Sequence, residues 1–297
     1  MLKEHFFKGA FNFLGLPEEN TDYDSAKAVI LPVPYDGTTS YRSGTRDGPA
    51  AIIAASRNVE LFDIELGCEP LNEGIFTLPE VEPDMQGPEG TIKRVEEISA
   101  NIIEDGKLPV MLGGEHSLTL GPIRALAAKY GSDFSVLQLD AHADLRDEYE
   151  NTEFSHASVM RRVIKHASIT QVGIRNISSG EIDFIKEVNH KNIFWAHEMR
   201  RSDSWIEKAV SSLKKKVYLT IDLDAFDPSV MPAVGTPEPG GMDWYTTLDL
   251  IDRVIREKEL IGLDIVELCP IPGNVASDFF AAKLLFKILG KYFTRKG

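Results

Sequence analysis

The stretch "LQLDAHADL", residues 137–145, changes from apolar to charged within a few residues. An apolar run without alternation is typical of a strand that is covered on both faces, as in a parallel sheet. Asp140, His142 and Asp144 follow at every second position, so their side chains project on the same side of an extended chain. Burying acids is costly unless they are paired or bind a cation. The stretch therefore predicts a buried strand that ends in a polar site.

The rest of the chain repeats this pattern of short apolar runs and longer amphipathic ones. Strands are predicted at 26–35, 108–114, 134–140, 168–175, 191–198, 215–224 and 260–268. Helices are predicted at 48–62, 89–106, 117–131 and 276–293. Strands that alternate with helices indicate a parallel sheet covered on both faces. We expect a single α/β domain over residues 1–297, a three-layer α/β/α sandwich with a mostly parallel central sheet of about eight strands. A closed (β/α)₈ barrel is the alternative, because strand count alone does not separate the two.

Composition excludes several classes of function. The chain has 297 residues, with 32 Lys and Arg against 46 Asp and Glu, a net charge of −14. A binder of nucleic acid or of an anionic membrane surface would carry a basic face, so neither partner is expected. No apolar run approaches the ~20 residues of a membrane span. Cys68 and Cys269 form no C-x-x-C pair, so we expect reduced thiols in a cytoplasmic protein.

Acids and histidines recur at the ends of four predicted strands. Glu115 and His116 follow one strand, Asp222 and Asp224 end another, Glu267 ends a third, and the 137–145 stretch is the fourth. In open α/β sheets, ligands bind beyond the carboxyl ends of the strands. The convergence of four strand ends predicts one functional site.

Divalent cations account for this set of residues better than helix capping does. Capping needs one acid, whereas Asp140, Asp144, Asp222 and Asp224 together carry four negative charges, which two divalent ions would balance. Carboxylates with some imidazole suit Mn²⁺ more than a soft metal. Water between two such ions, about 3.5–4 Å apart, becomes hydroxide near neutral pH.

Other polar residues have a structural interpretation. Asp227 is predicted to form a turn, and Asp47 to cap a helix that has Pro49 in its first turn. Hydrogen-bonded core or surface positions are predicted for the remaining isolated histidines, His5, His166, His190 and His197.

Several segments taken together resemble the ureohydrolases, the arginase and agmatinase family. They are "YDGTTSYRSGTRDGP" (35–49), "GGEHS" (113–117), "DAHADL" (140–145), "SHAS" (155–158), "TIDLDAFDPSVMPAVGTPEPGG" (220–241) and "DIVELCP" (264–270). The resemblance spans most of the chain. It implies an α/β/α domain around eight parallel strands and hydrolysis of a guanidinium carbon by hydroxide between two Mn²⁺ ions, with release of urea. We also expect a homo-oligomer, a trimer or a hexamer.

The resemblance also implies roles for individual residues. One ion would be held by His116, Asp140, Asp144 and Asp222, and the other by Asp140, His142, Asp222 and Asp224. His156 matches the proton-shuttling histidine, and Glu267 matches the glutamate that pairs with the guanidinium, a planar fork that a carboxylate can bind through two parallel hydrogen bonds. Asp144, His156 and Glu267 are the predicted catalytic residues. Glu115 stands where many agmatinases have Asp.

The substrate depends on the end of the molecule that does not react. The segments after "DAHAD" and "VGIR" lack the groups with which arginases bind the α-carboxylate and α-amino group. The loop before His156 instead carries Asp147, Glu148, Glu150 and Glu153, which suits a cationic guanidino substrate without a carboxylate.

Glu150 and Glu153 are the predicted amine-binding residues, together with Glu267 at the guanidinium, and agmatine, cleaved to putrescine and urea, is the predicted substrate. N1-aminopropylagmatine is the alternative, and guanidinobutyrate and formiminoglutamate rank lower. A non-catalytic homologue is disfavoured by the complete set of site residues.

Overall fold

Eight parallel strands form one sheet in the computed structural model, which describes residues 11–17, 21–70, 74–202 and 204–295. In chain order the strands are β1 Ala28–Val33, β2 Ile75–Thr77, β3 Leu108–Gly113, β4 Ser135–Leu139, β5 Ser168–Ile174, β6 Ile193–Trp195, β7 Lys216–Asp222 and β8 Glu259–Val266. Their order across the sheet is β2-β1-β3-β8-β7-β4-β5-β6, and all pairs are parallel. β2 and β6 are the two edges of an open sheet, so the barrel alternative is wrong.

Helices cover both faces of the sheet. They are α1 Gly48–Ser56, α2 Pro88–Glu104, α3 Leu120–Tyr130, α4 Val159–Val163, α5 Ser179–Glu187, α6 Ala196–Met199, α7 Trp205–Ser212, α8 Trp244–Glu257 and α9 Ala276–Phe293. Along β4, Leu137 and Leu139 pack into a cluster with α7, α8 and α9, whereas Val136 packs with α2, α3 and α4. Alternate residues of a strand face opposite sides. The sandwich of helices, sheet and helices is therefore confirmed.

Predicted and observed elements differ at a few places. The short strand β2 was not predicted, and the predicted strand 191–198 gives way to a helix after Trp195. α1 begins as predicted, with Pro49 in its first turn, but a 3-10 turn over Thr45–Asp47 precedes it and the Asp47 side chain makes no capping hydrogen bond. Asp47 therefore occupies the predicted N-cap position, but its side chain does not cap the helix. The five helices α4 to α8 were not predicted.

The structure also describes the cysteines and the apolar character of the helices. Cys68 and Cys269 are both free thiols. None of the helices in the described ranges is long and apolar enough to cross a membrane.

The topology places the functional strands side by side. The four strands whose ends carry acids or histidines, β3, β8, β7 and β4, are consecutive at the centre of the sheet. Since the strands are parallel, their carboxyl ends lie at the same edge, and the polar residues that follow them meet there.

Candidate active site

His116 lies in a cage of three carboxylates. Its Nδ1 atom is 3.1 Å from Asp140 Oδ2, 3.1 Å from Asp144 Oδ2 and 3.3 Å from Asp222 Oδ2. The ring is buried, and Nδ1 makes no well-formed hydrogen bond. A buried imidazole nitrogen without a hydrogen bond, surrounded by carboxylate oxygens, is the arrangement expected of a metal ligand.

A second group of ligands shares Asp140 with the first. His142 Nδ1 is 2.9 Å from Asp224 Oδ2 and 3.7 Å from Asp140 Oδ1. The ligand atoms of Asp140, His142 and Asp224 all lie within 4.8 Å of one another, as do those of His116, Asp140 and Asp222. Asp140 therefore directs one oxygen to each group, which is the geometry of a bridging carboxylate.

Burial and like charges dominate the electrostatics of the cluster. Burial and the neighbouring charges of Asp224 and Asp140 raise the pKa of Asp222 well above its usual value. Burial and the charge of Asp140 raise the pKa of Asp144 to about 7. Burial disfavours charged His116, yet the three carboxylates close to its Nδ1 raise the pKa of His116 well above its usual value. The residues of a binuclear metal site are present, and their donor atoms suit two divalent cations.

The ligands are held in place by hydrogen bonds to neighbouring groups. Gln138 Nε2 donates to Asp140 Oδ2 at 2.6 Å, and the His142 backbone N–H donates to Asp140 Oδ1 at 2.6 Å. The Asp224 N–H donates to Asp222 Oδ1 at 2.9 Å. Such contacts fix the orientation of metal ligands and raise the affinity for the ion.

Arg175 fastens the loop that follows β7 to β5. Its guanidinium donates to five backbone carbonyl oxygens, at 2.5 Å for the shortest, those of Gly173, Asp224, Ala225, Phe226 and Glu238. Asp224, a predicted ligand, thus has its main chain tied to the end of β5, across the intervening strand β4. Arg175 ends the segment "VGIR", and the sequence alone predicted no role for it.

His156 and Glu267 line the cleft above the predicted ligands. Burial, together with the charge of His142, lowers the pKa of His156 to about 4, so near neutral pH the imidazole is neutral and can accept a proton. Glu267 Oε1 accepts the His116 backbone N–H at 2.7 Å. Burial and the charge of Glu115 raise the pKa of Glu267 well above its usual value, and a cationic partner would reverse this shift.

Glu115 is fully buried and reaches across to the loop after β1. It accepts the backbone N–H and the hydroxyl hydrogen of Thr38, each at 2.6 Å, and the hydroxyl hydrogen of Ser117. Burial raises the pKa of Glu115 to about 7, against the effect of these hydrogen bonds. The methylene that distinguishes Glu from Asp is what carries the carboxylate to Thr38.

The structure does not bring Glu150 and Glu153 to the cleft. Glu153 Oε2 accepts from the buried Arg162 at 2.6 Å, and Asp147 binds the same guanidinium at 2.8 Å. The Glu150 side chain is exposed, on a residue with φ of 50°. Among the described residues, neither glutamate lines the cleft.

The outer wall of the cleft comes from residues to which the sequence analysis gave no chemistry. They belong to the loop after β1 and to the loop after β7, namely Thr39, Ser40, Tyr41, Arg42, Gly235 and Thr236. Both loops contain segments that resemble the ureohydrolases. "YDGTTSYR" is the segment in the loop after β1.

The remaining polar residues have structural partners or lie on the surface. His190 Nε2 is 3.2 Å from Gln171 Oε1, and His197 is exposed beside Glu198. His166 is half-buried, and burial lowers its pKa. Asp227 accepts the backbone N–H groups of Ser229, Gly240 and Gly241, as expected of a turn former. His5 lies outside the described residues.

Comparison with known proteins yields one family. Residues 26–290 match the model of the Arginase family. N(1)-aminopropylagmatine ureohydrolase of Synechocystis is 42% identical over 96% of this chain and 95% of its own length. Agmatinase of Pyrococcus horikoshii is 35% identical, over 91% and 93% respectively. The crystal structure of agmatine ureohydrolase of Thermoplasma volcanium superposes with a TM-score of 0.84 at 31% identity, covering 97% of this chain and 96% of that one.

Proposed function

Because the chain belongs to the arginase family and is a metal-dependent ureohydrolase acting on guanidino compounds, we propose that its substrate is N1-aminopropylagmatine, cleaved to urea and a triamine. The observation that carries the proposal is the 42% identity, over 96% of the chain, to a ureohydrolase of that name. Agmatine, the substrate predicted from the sequence, is the second candidate, supported by the 35% identity to an agmatinase.

The outer wall of the cleft supports a long cationic substrate. The guanidinium end would lie at the buried Glu267, and the tail would leave past Ser40 and Tyr41, which are exposed. The face of an exposed aromatic ring attracts an ammonium group by about 0.5–1 kcal/mol. The tail of N1-aminopropylagmatine has two amines to place along this wall, whereas agmatine has one.

We propose that the metal ligands are those expected from the sequence. His116, Asp140, Asp144 and Asp222 would hold one ion, and Asp140, His142, Asp222 and Asp224 would hold the other. The contacts of His116 and His142 with these carboxylates support the assignment. When bound, two divalent ions supply the charge that lowers the pKa of water into the neutral range, so that it can attack the guanidinium carbon.

Protein groups then orient the guanidinium and move protons. Glu267 pairs with the planar guanidinium, and each of its oxygens has two lone pairs, so the bond from His116 leaves room for the substrate. His156 would take a proton from the attacking water and return it to the amine nitrogen as the carbon–nitrogen bond breaks. Burial lowers the pKa of His156, so its imidazole is neutral near pH 7 and has a ring nitrogen lone pair for the first of these steps.

A comparison of kcat/KM tests the substrate. The protein loaded with Mn²⁺ is assayed for urea release from N1-aminopropylagmatine, agmatine, arginine and guanidinobutyrate. We expect N1-aminopropylagmatine to rank first and agmatine second. Arginine should be orders of magnitude slower, since leaving buried polar groups unpaired can discriminate by about 10⁴ or more. Higher kcat/KM for agmatine than for N1-aminopropylagmatine would make this chain an agmatinase, and no urea from any of the four would remove the proposed function.

A further inference from the structure

One buried acid at the site is neither a ligand in the proposed sets nor in contact with the cleft. Glu115 is fully buried beside His116, and its carboxylate points away toward Thr38. Thr38 in turn contacts His156 twice. The His156 backbone N–H donates to Thr38 Oγ1 at 3.0 Å, and the His156 Nδ1 atom lies 3.3 Å from the same oxygen. Glu115, Thr38 and His156 form a continuous hydrogen-bonded chain, which we call the Glu115 relay.

The direction of the relay follows from the number of hydrogens on one hydroxyl. A threonine hydroxyl has one hydrogen to donate and two lone pairs. The Glu115 carboxylate accepts three hydrogen bonds, from the Thr38 N–H and from the hydroxyls of Thr38 and Ser117. In its ionised form it only accepts, and the Thr38 hydroxyl hydrogen then goes to Glu115 Oε1. One lone pair of Thr38 Oγ1 receives the His156 backbone N–H. The contact with Nδ1 is then a hydrogen bond only if the imidazole carries its hydrogen on Nδ1.

We propose that Glu115 and Thr38 are positioning residues that hold His156 in the tautomer with hydrogen on Nδ1. Nε2, on the opposite side of the ring, then keeps its lone pair for the proton that is transferred in the cleft. The inference rests on the proposed function in one respect, because it takes His156 as the proton-transfer group. The hydrogen bonds that fix the tautomer do not depend on the identity of the substrate.

Glu115→Gln tests the direction of the relay while keeping the shape of the side chain. The Thr38 backbone N–H requires an oxygen at the position of Oε2. The amide nitrogen of Gln must therefore take the position of Oε1, where it donates to the Thr38 hydroxyl. That hydroxyl then donates to Nδ1, and the imidazole hydrogen moves to Nε2. We expect the opposite tautomer in this variant.

The tautomer is read from the ¹⁵N signals of the full chain with labelled histidine, loaded with diamagnetic Mg²⁺ and compared with His156→Gln for assignment. A ring nitrogen that bears hydrogen is distinguishable from one that does not. The expected result is hydrogen on Nδ1 in the unsubstituted chain and on Nε2 in Glu115→Gln. Hydrogen on Nε2 in the unsubstituted chain, or on Nδ1 in both, would overturn the proposal.

Kinetics of two Thr38 variants provide a matched pair. Thr38→Val keeps the shape and removes the hydroxyl, so kcat should fall by roughly 10–10²-fold, part of the ~10²–10⁴ that general acid–base catalysis contributes. KM should change by less than about twofold, since substrate contacts are kept. Thr38→Ser restores the hydroxyl and should recover most of kcat. Equal losses in both variants, or none in Thr38→Val, would contradict the relay. If no guanidino substrate is cleaved, the proposed function fails, whereas the ¹⁵N measurement, which uses no substrate, still decides the relay.

Discussion

Replacing Arg175 by Lys should loosen the loop that carries Asp224. The Arg175 guanidinium joins five carbonyl oxygens, on Gly173 within β5 and on the segment 224–238 after β7. Lysine keeps the positive charge but offers three donors from a single nitrogen, so it cannot span the same set. The change therefore removes hydrogen bonds without changing the net charge.

The size of the effect follows from the hydrogen bonds lost. A buried hydrogen bond contributes about 0.5–1.5 kcal/mol net, and lysine would retain two or three of the five partners. The expected loss in the free energy of unfolding is roughly 2–4 kcal/mol, at the upper end for a single substitution. Disturbing a group that orients a ligand weakens metal binding by about 10–100-fold. The weakening should be confined to the ion that we propose binds Asp140, His142, Asp222 and Asp224, because Asp224 belongs to that set alone.

Two measurements check this prediction. Urea denaturation in the presence of a chelator gives the stability of the chain itself, and Mn²⁺ titration calorimetry gives two affinities. Arg124→Lys is the matched control, because Arg124 lies 3.7 Å from Glu96 near the surface and such a pair contributes at most about 1 kcal/mol. If Arg175→Lys unfolds at the same urea concentration as the unsubstituted chain and binds both ions equally well, Arg175 does not hold the loop.

Four further predictions concern the site and the pH dependence of stability. Asp140→Asn should lose both ions rather than one, since Asp140 faces both ligand groups; two ions per chain by elemental analysis would show that it is not a bridge. His156→Ala should keep both ions and lose kcat by roughly 10²–10⁴-fold; normal turnover would remove its role. Glu153→Gln should weaken the contact with Arg162 and loosen the loop, measured by limited proteolysis, with KM unchanged. Glu150→Gln should also leave KM unchanged, since its side chain is exposed outside the cleft, and a raised KM would show that the loop folds onto the cleft. Burial lowers the pKa of His190 to about 4, so between pH 6.5 and 4 the unfolded chain binds more protons than the folded chain and stability falls as the pH decreases. His190→Gln should flatten that slope in denaturation curves, and an unchanged slope would assign it to other groups.

The parts of the fold that the sequence predicted are those with a strong pattern. The apolar runs that became β3, β4, β7 and β8 are buried on both faces, so they stand out without alternation. β2 has three residues, too few for any period to be visible. α5 begins with a capping box formed by Ser178 and Glu181, and "SSGE" is a sequence pattern typical of such a helix start.

The site residues also differ in how far the sequence predicted their positions. The clustering of the candidate ligands was predictable because they sit at every second residue after buried strands, where a solvated acid has no reason to be. The predicted amine-binding role of Glu150 and Glu153 rested on nearness to His156 in sequence, which carries no information about Arg162. A buried guanidinium needs carboxylate partners, and Asp147 and Glu153 supply them. Which acid meets which cation depends on how the loop folds, and no periodicity in the loop encodes it.

Two residues of the candidate site have a strained backbone conformation. Asp144 and Glu267 have φ values of 53° and 66°, in the left-handed region that costs a non-glycine residue roughly 1–2 kcal/mol. The main chain at each is held by hydrogen bonds, from the N–H groups of Met160 and Arg161 to Asp144 O and from the Glu267 N–H to Gly114 O. Glu267 directly follows β8, Asp144 lies in the loop after β4, and both side chains line the cleft. Strain of this kind persists only where the surroundings fix it, and it concentrates at functional sites. Glycine at either position would relieve the strain but remove the carboxylate, and at Glu267 it would also leave the His116 backbone N–H without its acceptor. The strain relieved and the hydrogen bond lost are of similar size, so Glu267→Gly should change the free energy of unfolding little while abolishing urea release, and retained urea release would remove the role of Glu267.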